Sequence, residues 1–195
     1  MARDQFIGVK NFHLAELTDE ENLTYGTPVA IAGLVQMQAS RATNNEPSYA
    51  DDEVWIEEES DTGGECTISI RDILSNQDAR ELIARLSGYL VTAEGDLLAI
   101  VGASRNPCAI LCERSAHSGH GQRKLWYCCT LGKPEFDAST KEETPTAGQL
   151  DIPFTYRPIK LAEGISATTR DSFYGNSTYA GFFDAVVKTT AAKSE

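Results

Sequence analysis

The sequence predicts a mainly β protein with one flanking helix, built as an antiparallel β-sandwich or open barrel. Three observations predict it. Apolar residues recur at every second position through most of the chain, which is the period of half-buried strands. Polar and glycine-rich stretches separate those runs. One segment alone has clear helical spacing over a long stretch, with Ala79, Leu82, Ile83 and Leu86 at i, i+3, i+4 and i+7.

Taken in order, Phe12, Leu14 and Glu16 alternate with His13, Ala15 and Leu17, and the turn-rich Thr18–Asn22 follows. Leu34–Ala39 reads as the next strand, with Val35, Met37 and Ala39 on one face and Gln36 and Gln38 on the other. The stretch from Ser40 to Asp52 is polar, carries Asn44, Asn45 and Pro47, and has Tyr49 as its one large apolar side chain. It reads as a long loop, and loops of that length in compact domains tend to be functional or disordered. Val54–Ser60 resumes as a strand. Asp61-Thr62-Gly63-Gly64 reads as a hairpin turn into a strand through Cys66, Ile68 and Ile70.

Ser75 with Asp78 three residues on has the capping-box pattern for the helix, and Gly88 stops it. The narrow apolar stripe suits packing against a sheet. Strands at Ala109–Glu113 and Lys124–Thr130 flank a polar tip, Ser115–Gly121. Leu150, Ile152, Phe154 and Tyr156 alternate strictly, while Pro153 and Pro158 demote that strand to an edge or to a partly paired strand. Tyr179, Phe182, Phe183 and Val186 have helical spacing. The organisation read from this pattern is one β domain over residues 1–160, carrying the 40–52 loop, and a C-terminal arm over 161–195 ending in a short helix.

The 195 residues suit one domain, and 41% hydrophobic content allows a core of modest size. Twenty-nine acidic against 17 basic side chains give a net charge of −12. That balance argues against nucleic acid or anionic lipid as a main ligand, since both demand basic patches. No secretory leader is visible and no apolar run is long enough to span a membrane. The odd count of 5 cysteines points to reduced thiols in a cytosol.

Chemistry-bearing motifs are sparse. Cys108, Cys112, His117, His120, Cys128 and Cys129 form the one candidate metal group. Residues four apart on a strand lie about 13 Å apart, too far to share an ion without a bend. Buried thiols and a solvated hairpin tip account for the same residues. Three histidines are present, but no nucleophile elbow, phosphate loop, dinucleotide fingerprint or calcium loop accompanies them. The acids at Asp51-Asp52-Glu53 and Glu57-Glu58-Glu59 read as a solvated face. The expectation is therefore a protein that is not an enzyme and carries no metal or cofactor.

Several segments, in their order along nearly the whole chain, resemble one family. Gly8–His13 looks like that family's opening strand, and Tyr25-Gly26-Thr27-Pro28-Val29 with Gly33-Leu34-Val35 like its next segment. Tyr49-Ala50-Asp51-Asp52 followed by Val54-Trp55 is the most specific piece, and Gly64 leads into Thr67-Ile68-Ser69-Ile70. Lys124–Thr130 with Pro134, then Lys141-Glu142-Glu143-Thr144, the strand from Leu150, and the aromatic ending Tyr179–Val186 complete the series. On these residues the chain resembles the major tail protein, or tail tube protein, family of long non-contractile-tailed bacteriophages of Gram-positive hosts. The tip between Arg114 and Lys124 and the extra cysteines depart from the family pattern.

The resemblance implies a virion structural protein, made in the host cytoplasm, whose inner strands join into a hexameric ring barrel. Rings stack head to tail into a tube through which double-stranded DNA passes. The implied partners are the chain itself, a tape measure protein, and the tail tip and tail terminator proteins, with no membrane. Under that reading the 40–52 loop is an inter-ring stacking element through Asn44, Asn45, Tyr49, Asp51 and Asp52. Glu53, Glu57 and Glu59, which share a face of an unbroken strand, are candidates for an acidic lumen wall. The alternatives are the tube of a type VI secretion system or of a phage-derived bacteriocin, a Cys/His metal-binding protein, and a monomeric adhesion or decoration module.

Overall fold

The computed structural model describes residues 5–50, 53–71, 76–134 and 149–188, with 44–50 and 53–60 described by their backbone alone. In chain order its strands are β1 (Phe6–Asp19), β2 (Thr24–Tyr25), β3 (Val29–Ile31), β4 (Leu34–Ala39), β5 (Ala42–Ala50) and β6 (Glu53–Ile70). After the helix α1 (Gln77–Leu86) come β7 (Tyr89–Val91), β8 (Leu97–Ala99), β9 (Cys108–Ala116) and β10 (Gln122–Leu131). The chain continues through β11 (Leu150–Arg157), β12 (Ile159–Ala162), β13 (Ile165–Ala167) and β14 (Thr169–Phe173). Among the described residues this is the mainly β, antiparallel architecture with one flanking helix that the sequence predicts.

Ten strands form one sheet along the path β2-β1-β9-β10-β11-β6-β4, with β3 beside β1, β14 beside β10 and β5 beside β6. The path curls until β4 comes back near β1. Its concave side encloses one core, and the convex side of β1, β9 and β10 carries a second. Strict alternation sorts β1 and β9 between them. Phe12, Leu14, Cys108, Ile110 and Cys112 join the inner core; Ala15, Leu17, Ala109 and Leu111 join the outer one. Each large apolar side chain buried this fully contributes about 1.5–3 kcal/mol.

β10 holds the two halves of the sheet together. Trp126 pairs with Ile110 but Cys129 with Cys108, so β10 spends one extra residue. That bulge puts Tyr127 and Cys128 together on the outer face and returns Cys129 to the inner one. At the same point the far neighbour of β10 changes: β14 pairs with Gln122–Trp126, and β11 with Cys128–Leu131. A similar shift between Leu34 and Gln36 breaks the alternation expected of Leu34–Ala39. Leu34 and Met37 pack on the core, and Val35, expected beside Met37, is exposed.

α1 caps the inner core with the predicted stripe, and Ala79, Leu82, Ile83 and Leu86 are all buried. Its N-cap is Asn76, whose side chain accepts from the Ala79 N–H at 3.1 Å. The Ser75 capping expected from the sequence is thus displaced by one residue, because Asn caps as well as Ser and sits directly before Gln77. Ser75 lies outside the described residues. Gly88, at φ +82°, ends the helix as expected.

Three other expectations are corrected. Most of the 40–52 segment is strand rather than loop: Ala42–Ala50 is β5, paired with β6 throughout. Asp61-Thr62-Gly63-Gly64 is not a turn, because β6 runs unbroken from Glu53 to Ile70. Of the two readings of β11 the edge is corrected and the partly paired strand holds: β6 pairs with Leu150–Tyr156, and β10 pairs with Phe154–Arg157 alone. Pro153 is tolerated there because the Pro153 carbonyl accepts from Gly132 N–H at 2.6 Å, so its ladder groups face the point where β10 ends. The missing N–H therefore lies toward the end of β10 and leaves the β6 ladder intact.

The C-terminal residues cover the outer core with Ile159, Phe182 and Val186. The short helix expected near Tyr179 is instead a run of turns, with the N–H groups of Asn176, Tyr179 and Phe182 each donating three residues back. Gly175, at φ +95°, turns the chain ahead of this run.

Candidate assembly surfaces

The part of the fold that the core does not explain is the hairpin of β5 and β6. Beyond Gly63 each strand has the other as its sheet neighbour, with Ala42 opposite Gly63 and Ala50 opposite Glu53. It is a two-stranded ribbon about 30 Å long by strand geometry. Its base is fastened at several points. The Tyr156 hydroxyl donates to the Ser40 carbonyl at 3.0 Å, and Ser40 gives its own N–H and hydroxyl to the Glu65 carbonyl at 2.9 and 2.7 Å. Asp61 accepts from the Thr168 hydroxyl at 3.0 Å and pairs with Arg41 at 3.2 Å.

Gly63 and Gly64 have a reason different from the turn read in the sequence. A Cβ on Gly63 would collide with the Tyr156 carbonyl, and one on Gly64 with the Ser40 carbonyl and the Tyr156 ring. The glycine pair lets three strands approach where the ribbon leaves the body.

Of the residues proposed for stacking, Asn44, Asn45 and Tyr49 lie on β5, opposite Ser60, Glu59 and Val54. Asp51 and Asp52 lie outside the described residues, as does Lys141–Thr144. Glu53, Glu57 and Glu59 lie on β6, opposite Ala50, Pro47 and Asn45. Tyr49 pairs with Val54 but Ser48 with Ile56, so the register slips at Trp55. The single face assigned to Glu53, Glu57 and Glu59 assumed unbroken alternation, and that slip interrupts it between Glu53 and Glu57.

The cysteines and histidines of the candidate metal group do not converge. Cys108, Cys112, Cys128 and Cys129 are buried and unbridged, as is Cys66. Burial pushes the Cys66 thiol up to about 11 and the Cys112 thiol up to about 12, and raises Cys108, Cys128 and Cys129 as well. His117 and His120 are exposed at the far tip of β9–β10, where the His120 ring stacks on Tyr174 at 3.8 Å. Among the described residues no three His, Cys, Asp or Glu side chains come within reach of a common ion.

Sequence reading missed two features. One is a buried ionic cluster on the outer face: Glu113, 3% exposed, is bound by Arg123 at 3.1 Å, Lys10 at 3.3 Å and the Asn11 amide at 3.2 Å. Arg123 also donates to the Tyr179 carbonyl and lies 3.9 Å over the Tyr179 ring, tying the C-terminal turns to the sheet. The available signal was that Glu113 shares a strand face with Ala109 and Leu111. The other feature is a pair of exposed apolar groups, one on the β7–β8 hairpin and one at the start of β1 and the end of β14.

Neither a protein-family model nor a curated protein matches the sequence. Among solved structures the chain is similar to the anti-feeding prophage cap, described as the AFP tube terminating cap, at 10% identity and a TM-score of 0.45. That alignment covers 84% of this chain and 88% of the other. A likeness this loose assigns no role to the present chain.

Proposed function

We propose that this chain is a structural subunit that polymerises as stacked hexameric rings into the tail tube of a long-tailed bacteriophage, and that it is not an enzyme. The observation that carries the reading is the β5–β6 ribbon. Two strands alone are marginally stable in water, and their outer edges present unpaired backbone groups that template pairing with another chain. A ribbon of this length belongs against a neighbour, and it coincides with the segment, Tyr49–Trp55, in which the sequence most resembles the tail tube family. Strand edges that a monomer leaves open are hidden when rings close into a barrel. The tape measure, tail tip and tail terminator proteins are the implied partners.

The net charge of −12 suits a conduit that must release DNA. Repulsion between carboxylates and phosphates acts over about 10 Å at 0.1 M salt, so acids on the lumen wall alone contribute.

Negative-stain electron microscopy over a concentration series tests the reading. Tubes or stacked sixfold rings are the expected result. Shortening the ribbon by replacing 44–59 with a tight turn should leave folded subunits and no tubes. A chain that stays monomeric even with tail tip complex present overturns the proposal.

A further inference from the structure

Two apolar groups stand exposed at opposite ends of β9. At the Cys108 end, the β7–β8 hairpin presents Leu90 and Leu98 opposite each other, each about half exposed, and Val101 beyond them is 99% exposed. The hairpin is held at that end by Lys133, which donates to the Ile100 carbonyl at 3.3 Å. At the Ala116 end, Phe6 is paired to Ala116 and Phe173 to Gln122, so the exposed Phe6, Ile7, Phe173 and Tyr174 cluster around the β9–β10 tip. Nine residues of β9 separate the two groups, about 30 Å of strand.

The charges at the exposed tips differ in sign, with Lys133 and Arg105 lying at the base of the β7–β8 hairpin rather than at its turn. Glu94 and Asp96 occupy the turn of the β7–β8 hairpin, with Glu94 exposed. At the other group the exposed Arg114 carries the positive charge, with the exposed imidazoles of His117 and His120 as further polar groups, although the chain as a whole is strongly acidic. Arg114 lies 4.2 Å over the Phe6 ring, and among the described residues neither Arg114 nor Glu94 belongs to an ion pair.

We infer that these two patches are the two halves of one head-to-tail contact between copies of this chain. The acidic Leu90–Leu98–Val101 hairpin of one copy seats on the basic Phe6–Phe173–Tyr174 end of the next. A two-stranded hairpin with uncovered leucines is unstable in water, and a partner with aromatic and cationic groups covers both its apolar and its charged features. Because the halves differ and lie at opposite ends, the contact is heterologous and propagates. The inference rests on the self-assembly reading and specifies which surfaces meet, apart from the β5–β6 ribbon.

Two variants test it, each checked by circular dichroism for an unchanged fold: Leu98→Asp with Val101→Asp, and Ile7→Asp with Phe173→Asp. Sedimentation velocity should show that neither extends alone, and that a mixture gives one species of twice the mass of either. Each variant keeps one intact half, so one junction forms and growth stops. Exposed charge reversals give a second reading. Glu94→Arg or Arg114→Glu alone should weaken assembly at least tenfold in critical concentration, and the two together in one chain should restore it. Self-pairing of either variant alone would show a symmetric contact and overturn the inference. Variants that assemble like the unaltered chain would overturn it while leaving the tube reading intact. An unaltered chain that never assembles would remove both.

Discussion

Tyr156 reaches across the glycine pair at Gly63 and Gly64 and donates its hydroxyl to the Ser40 carbonyl at 3.0 Å. This contact joins β11 to the point where β4 gives way to β5, and so fixes where the free ribbon begins. A side chain on either glycine would occupy the space Tyr156 and Ser40 now fill.

Gly64→Ala should therefore destabilise the fold by about 1–3 kcal/mol through overpacking. Gly63→Ala should do at least as much, since φ there is +113°. Tyr156→Phe removes one hydrogen bond and should lose about 1 kcal/mol. Urea unfolding measures all three. Equal stability of Gly64→Ala and the unaltered chain would mean that the ribbon base is not packed as described.

The five thiols should be silent in the native protein. Burial raises every one, so at pH 8 each remains protonated and inaccessible. A colorimetric disulfide reagent at pH 8 should label none of the 5 cysteines before denaturant is added and all of them afterwards. Rapid labelling of a cysteine in the folded chain would contradict the burial of that strand.

Glu113 is buried against Arg123, and removal of Arg123 leaves the Glu113 carboxylate with Lys10 and the Asn11 amide as partners. Arg123→Ala should destabilise by about 1.5–3 kcal/mol, the range for a lost hydrogen bond to a charged group. It should also loosen the C-terminal turns, because Arg123 holds the Tyr179 carbonyl. Limited proteolysis reads this directly, with cleavage expected between Phe173 and Lys188 in the variant and not in the unaltered chain.

Asp151 carries a pH dependence with a defined sign. The Ser69 hydroxyl at 2.6 Å, followed by the Gln149 amide at 2.9 Å, holds its carboxyl below the usual aspartate value. The folded value lies below the unfolded one, so the stabilisation is present above the unfolded value of about 3.9 and is lost as pH falls through the folded value. Ser69→Ala should move the Asp151 titration back upward, as followed by carboxyl-carbon NMR. No movement would mean that the Ser69 contact does not set it.

The parts of this fold that sequence made legible are those governed by local periodicity. Alternation at Phe12–Leu17 and Leu150–Tyr156, and the stripe from Ala79 to Leu86, are consequences of side-chain geometry within one element, and each appears where the pattern places it. The β9–β10 hairpin was legible for the same reason. Composition also determined the strong acidity of the chain.

What tertiary structure decided was where backbone groups find partners. The stretch from Ala42 to Ala50 has no apolar pattern, yet it is a strand, because the ladder with β6 satisfies the N–H and C=O groups along one of its edges whatever its side chains. Gly63-Gly64 has the composition of a turn, but its glycines serve close approach of Tyr156 and Ser40, residues distant in sequence. Pro153 signals an edge, and the end of β10 at Gly132 lets it stand inside the sheet. The bulges at Trp126–Cys129 and Trp55 arise from pairing two strands of unequal length, so neither strand alone encodes them. The two apolar patches were likewise invisible in order along the chain. Only the antiparallel course of β1, β9, β10 and β14 brings Phe6 and Phe173 to one end of β9 and leaves Leu98 and Val101 at the other.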